Sequence, residues 1–214
     1  IYAVLPPVPA RTPRHALASN MDNDPASFEL MKRMGHQWQL YCKLYADRPE
    51  HLNPAPETYR WDELRAVLEM PRSSGLQVMP ALWPSHVPPH LRDAERSAWD
   101  AYGDGRRDPV RQMRKQAGLP PEKRTAVLYP DLEAWRTHCR RLAEAVGDRQ
   151  AWWTIEDETE LYFSAREFAR IVRATADGFR DSGKSMKISL SCMTDYIEEV
   201  IAELGGDMPM AGFG

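Results

Sequence analysis

The stretch Ala151-Trp152-Trp153-Thr154-Ile155-Glu156-Asp157-Glu158-Thr159-Glu160 sets a run of strong β-formers directly against a dense group of carboxylates. A helical segment follows, opened by Ser164-Ala165-Arg166-Glu167 in the spacing of a capping box and carrying Phe168, Ile171, Val172, Thr175 and Phe179 on one face. Gly183 closes that helix, and residues 186–191 read as the next strand. Strand, acidic turn, helix, strand is the unit from which a parallel sheet with crossover helices is wound.

The same alternation extends in both directions. A strand at residues 15–20 precedes a helix that Asp24 caps, with Pro25 in its first position, Phe28, Met31 and Met34 turned inward, and Gly35 at its end. A second strand at 37–44 leads through Tyr59-Arg60-Trp61-Asp62 into a helix that stops near Pro71 and Gly75, and a third strand follows at 76–83. The third helix carries Leu132, Trp135, Cys139, Leu142 and Val146 on one face and runs into the strand at 151–155. After the strand at 186–191 comes a fifth helix with Ile197, Val200, Ile201 and Leu204, ended by Gly205-Gly206, and then an apolar run at 208–213.

About six strands and five helices in strict order predict an α/β fold, specifically a parallel (β/α)8 TIM-type barrel that is incomplete. A closed barrel has eight units and needs about 250 residues, whereas this chain has 214. A doubly wound open sheet also accommodates six strands, but the Gly-rich phosphate-binding turn after its first strand is missing. Residues 1–214 are therefore read as one domain, with strands seven and eight outside the sequence and a long insertion at 92–127 between the third strand and third helix. The insertion's Arg106, Arg107, Arg111, Arg114 and Lys115 read as a solvated run beside Asp and Glu rather than as an anion site.

A hydrophobic share of 43%, a charged share of 28% and a net charge of −3 give no electrostatic pull toward nucleic acid or an anionic membrane, so a neutral partner is expected. No apolar run approaches the ~18 residues of a membrane span, and no signal peptide is visible, so a soluble chain of open compartment and open oligomeric state is expected. Cys42, Cys139 and Cys192 lie far apart and are odd in number, which indicates neither a disulfide framework nor a zinc cluster but small buried hydrophobes.

In β/α barrels the C-terminal ends of the strands carry the reacting groups, so the acids after Ile155 are expected to face a pocket. Alternation would place Glu156 and Glu158 on one side and Asp157 on the other. Carboxylates this crowded cannot all ionise cheaply, and one with a raised pKa could deliver a proton to a leaving group. The same run would serve equally as a solvated acidic loop or as caps ahead of the next helix.

The string Trp153-Thr154-Ile155-Glu156-Asp157-Glu158-Thr159 is similar to the Trp-Glu-Ile-Trp-Asn-Glu-Pro segment at the end of strand four in clan-A glycoside hydrolases. Upstream, Gly35-His36-Gln37-Trp38, Tyr59-Arg60-Trp61-Asp62-Glu63-Leu64 and Gly75-Leu76-Gln77-Val78-Met79 resemble that clan's second and third units, and Trp83-Pro84 its aromatic at the end of strand three. The resemblance implies a retaining glycosidase acting on a carbohydrate without a cofactor. Glu158 takes the place of the acid/base, and Asp157 that of the Asn which contacts the sugar 2-hydroxyl. The nucleophile, a Glu at the end of strand seven, is expected beyond residue 214, because retaining chemistry needs two carboxyl groups about 5 Å apart. Asp157 for Asn, Thr159 for Pro, and Leu40 where many members carry Arg depart from the pattern.

Trp83 and Trp153 could stack on sugar rings, although tryptophans at such positions more often fill the barrel. Glu156 and His86 are expected to line the pocket, with Tyr41, Lys43 and Tyr45 as weaker candidates. Two further readings stand beside the hydrolase: a carbohydrate-binding barrel without catalysis, and a barrel enzyme in which Glu156, Asp157 and Glu158 hold Mg²⁺, Mn²⁺ or Ca²⁺.

Overall fold

A computed structural model describes residues 18–19, 24–40, 48–94, 116–118, 129–156, 159–191, 194–205 and 212–213. Its strands are β1 (Ala18–Ser19), β2 (Trp38–Leu40), β3 (Gln77–Met79), β4 (Ala81–Leu82), β5 (Trp152–Ile155), β6 (Lys187–Leu190) and β7 (Gly212–Phe213). Between them run α1 (Pro25–Arg33), α2 (Pro49–Leu52), α3 (Trp61–Ser73), α4 (Leu132–Val146), α5 (Ala165–Asp181) and α6 (Thr194–Leu204). The fold is α/β with parallel strands: one sheet has the order β1-β2-β3, the other β4-β5-β6-β7, and every pairing within them is parallel.

Where six strands are expected, the described residues hold seven short ones, because the third is divided at Pro80. Proline has no N–H to give to a ladder. Among the described residues β3 therefore pairs with β2 and β4 with β5, while the Pro80 carbonyl still accepts from the Thr154 N–H at 3.0 Å. One interrupted strand thus belongs to both sheets and hands strand order from one to the other.

The two faces of this surface differ. Val78, Leu82, Trp153, Ile155, Ile188 and Leu190 join the main apolar core together with Leu64, Leu68, Trp135, Leu142, Phe168, Ile171 and Phe179 from the helices. On the opposite face Trp38 of β2 meets Trp152 of β5 edge-on, with ring centroids 6.4 Å apart. Two strands that flank a third lie roughly 10 Å apart in a flat sheet. The contact joins the two sheets on the face away from the helices.

The helices form where periodicity and caps place them. Asp24 accepts from the Ala26 and Ser27 amides at the head of α1, and the Ser164–Glu167 box is closed in both directions at the head of α5. All five apolar positions expected on α5 are buried. Met34, expected inward, is instead the C-cap of α1 and 39% exposed, since the helix ends one residue before it. In α3 the chain continues through Pro71 to Ser73: a proline in the last turn loses one backbone hydrogen bond and terminates the helix soon after. Among the described residues no helix is long and apolar enough to cross a membrane.

Candidate functional site at the carboxyl ends of β4 and β5

Because β4 and β5 are parallel and in register, with Leu82 opposite Ile155, the segments that leave them emerge side by side. After β4 the chain runs through Trp83 into a 3-10 turn, Pro84–His86. After β5 it continues one ladder step, with the Glu156 N–H donating to the Leu82 carbonyl at 2.7 Å. It then leaves the extended path, because Glu156 adopts φ 56. That left-handed conformation favours Gly and costs a side chain about 1–2 kcal/mol. The alternation expected from Glu156 to Glu158 concerns residues 157–158, which lie outside the described residues.

Glu156 is 0% exposed, and its Oε2 accepts from the backbone N–H of Ser85 at 3.0 Å. A hydrogen bond between groups 71 positions apart ties the turn after β4 to the end of β5. The Ser85 hydroxyl lies 2.8 Å from His86 Nδ1, and the His86 ring meets Trp83 edge-on at 5.8 Å. Arg48, just before α2, places its guanidinium 5.5 Å from the centre of the Trp83 ring, within reach of a cation–π interaction. Burial, reinforced by the positive charge of Arg48, holds the His86 imidazole below its ordinary pKa of 6.5. The imidazole is consequently neutral at pH 7 and able both to donate and to accept.

A second tie comes from α2. The Asn53 side-chain amide donates to the carbonyls of Ala55 and Thr58, both at 2.8 Å, and its oxygen lies 2.8 Å from Nε2 of His90. Beyond His90 the ends of the insertion are pinned together: Arg92 bridges Pro130, the Asp93 N–H donates to the Tyr129 carbonyl at 2.9 Å, and the Asp131 N–H donates to the Leu91 carbonyl at 2.8 Å. The insertion leaves and re-enters the fold at one point, beside the turn that carries Trp83 and His86.

Of the residues expected from sequence, Trp83, His86 and Glu156 are brought together here. Trp153 is not. Its indole is 1% exposed and lies 6.4 Å from the Phe179 ring of α5, so it fills the space between sheet and helix and has no face for a sugar. Asp157 and Glu158, the 2-hydroxyl contact and the acid/base of the resemblance, lie outside the described residues, as do Tyr41, Lys43 and Tyr45. They stand in the two segments that adjoin this cluster: 157–158 follow Glu156 directly, and 41–47 precede Arg48. Arg48 and Ser85 were not expected, since their roles come from contacts across the fold and no local spacing marks them. Among the described residues no group of three or more His, Cys, Asp or Glu side chains is arranged to hold a metal ion.

No protein-family model and no curated protein matches the chain. Solved structures do. Xylanase B from Clostridium stercorarium F9 superposes with a TM-score of 0.50 at 13% identity, over 87% of this chain and 57% of that one. A family 1 β-glucosidase from Thermotoga maritima gives a TM-score of 0.45 at 10% identity, covering 82% of this chain and 40% of that chain. A β-galactosidase from the psychrophilic Marinomonas ef1 gives 0.44 at 12% identity, covering 82% and 37%. The likeness to the xylanase is one of fold, and the chain spans little more than half the length of that structure.

Proposed function

We propose that this chain is part of a (β/α)8-type barrel glycosidase in which Glu158 acts as the general acid and then the general base of a retaining mechanism. The carrying observation is Glu156, which at the carboxyl end of β5 is tied to the turn after β4 that bears an aromatic and an imidazole, and which Glu158 follows by two positions in the sequence. In β/α folds this edge gathers the reacting groups. Trp83 and His86 form the sugar-facing wall, Asp157 contacts the 2-hydroxyl, and a second carboxylate from outside residues 1–214 attacks the anomeric carbon.

Glu158 protonates the glycosidic oxygen as the nucleophile displaces it, and the resulting carboxylate takes a proton from the water that hydrolyses the glycosyl-enzyme. Replacing Glu158 by Gln tests the assignment with aryl glycosides of graded leaving-group pKa. Turnover of poor leaving groups should fall by about 10²–10⁴-fold, while an activated leaving group, which departs unprotonated, still forms the intermediate. Equal activity of the variant on both substrates refutes the role.

Asp157, Thr159 and Leu40, which stand where the resemblance calls for Asn, Pro and Arg, motivate a second reading, a barrel that binds carbohydrate without cleaving it. Oligosaccharide binding by calorimetry with no release of reducing ends over days would favour it.

A further inference from the structure

We infer that Glu156 is a positioning residue whose buried carboxyl group locks the Trp83–His86 turn to the end of β5 and thereby sets the shape of the sugar-facing wall. Three observations carry this. The carboxyl group is fully enclosed, and a polar group in that position must find hydrogen bonds that replace its water. It accepts from a backbone amide, that of Ser85 at 3.0 Å, so what it holds is the course of the main chain and not a side chain free to rotate. The residue itself sits at φ 56, an uncommon conformation for a glutamate, which other contacts must hold in place.

The consequence passes through neighbouring groups. Ser85 is 6% exposed, and its hydroxyl reaches His86 Nδ1 at 2.8 Å; His86 abuts Trp83, and Trp83 lies beneath Arg48. Releasing the Ser85 amide therefore frees the imidazole and indole together. A side chain enclosed to this degree cannot touch a substrate, so Glu156 acts through Ser85. The amide-exchange part of this inference stands on the fold alone; its kinetic part rests on the glycosidase reading.

Two variants separate the carboxylate from the backbone conformation. Glu156→Gly keeps the left-handed turn, which glycine adopts freely, and removes the acceptor; Glu156→Gln keeps an acceptor oxygen at the same reach. In hydrogen-exchange NMR of the whole protein, the Ser85 amide should exchange roughly 10-fold faster in Glu156→Gly, the range of a single hydrogen bond, and near the wild-type rate in Glu156→Gln. With an activated aryl glycoside, Glu156→Gly should raise KM several-fold at nearly constant kcat, and Glu156→Gln should restore it. Wild-type exchange at Ser85 in the glycine variant, or loss of kcat with KM unchanged, overturns the inference. A wild-type protein without turnover defeats the glycosidase reading and leaves the exchange measurement to decide the role of Glu156.

Discussion

Gly178 of α5 packs so closely on α4 that a Cβ built on it would collide with the Arg136 carbonyl oxygen and lie 2.9 Å from the Cβ of Cys139. Neither neighbour can yield, because one is backbone and the other is the root of a fully buried side chain. The Trp135 indole N–H donates to the Thr175 hydroxyl at 2.9 Å across the same junction, fixing the two helices in rotation as well as in distance. Gly178→Ala should therefore destabilise the fold by about 1–3 kcal/mol, the cost of overpacking, despite the better helix propensity of alanine. Urea denaturation measures it, and an unchanged or raised midpoint would show that the helices stand further apart than this.

His138 fills the same layer from the other side, its ring stacked between Trp135 at 5.4 Å and Tyr59 at 5.9 Å. Burial, with smaller contributions from His90 and Arg141, pushes its pKa from 6.5 down to about 4. The unfolded chain binds that proton more readily than the folded one, so this residue costs no stability above pH 6.5 and withdraws it progressively between pH 6.5 and about 4. The total is roughly 3 kcal/mol. His138→Phe retains an aromatic ring in the stack and should flatten the pH dependence of stability in that window. An identical pH profile in the variant would mean that other groups carry it.

The Cys139 thiol is enclosed by α4 and α5, and burial pushes its pKa up, well away from the thiolate form that alkylating agents attack. Under native conditions iodoacetamide should leave Cys139 unmodified over hours while denaturant exposes it fully, as peptide mass mapping can report. Rapid native labelling at Cys139 would indicate that α4 and α5 open locally.

At the candidate site, Arg48→Met should raise the His86 pKa toward 6.5 by removing the nearby positive charge. The recovery should be only partial, because burial is the larger cause of the shift. The imidazole proton resonances give the titration curve. Full recovery would make the charge of Arg48 the dominant influence, and no change would remove Arg48 from the site.

Much of the frame was legible because it rests on local signals. The capping box at Ser164–Glu167 and the three-and-four spacing of α5 each specify structure within one or two turns of chain, and both hold. The strand segments also formed where β-formers cluster, in the expected order. What escaped the sequence depends on distant partners or on single backbone angles. The four residues of α2 are too few for a period. Alternation could assign Trp153 and Glu156 to opposite faces, but it could not tell which face the helices would cover. The left-handed turn at Glu156 carried no glycine to announce it, and the pairing of Ser85 with Glu156 spans 71 positions, beyond any spacing rule.

The pinched base of the insertion bears on how such a fold diversifies. With Arg92 bridged to Pro130, and Asp93 and Asp131 held across the same gap, chain joined between residues 94 and 129 begins and ends at a fixed doorway beside the Trp83–His86 turn. Doubling the length of a loop closed at fixed ends costs only about 0.6 kcal/mol. The segment can thus be treated as a cassette: lengthened, shortened or exchanged, it would start and finish at the same doorway while the register of β4 and β5 stays the same.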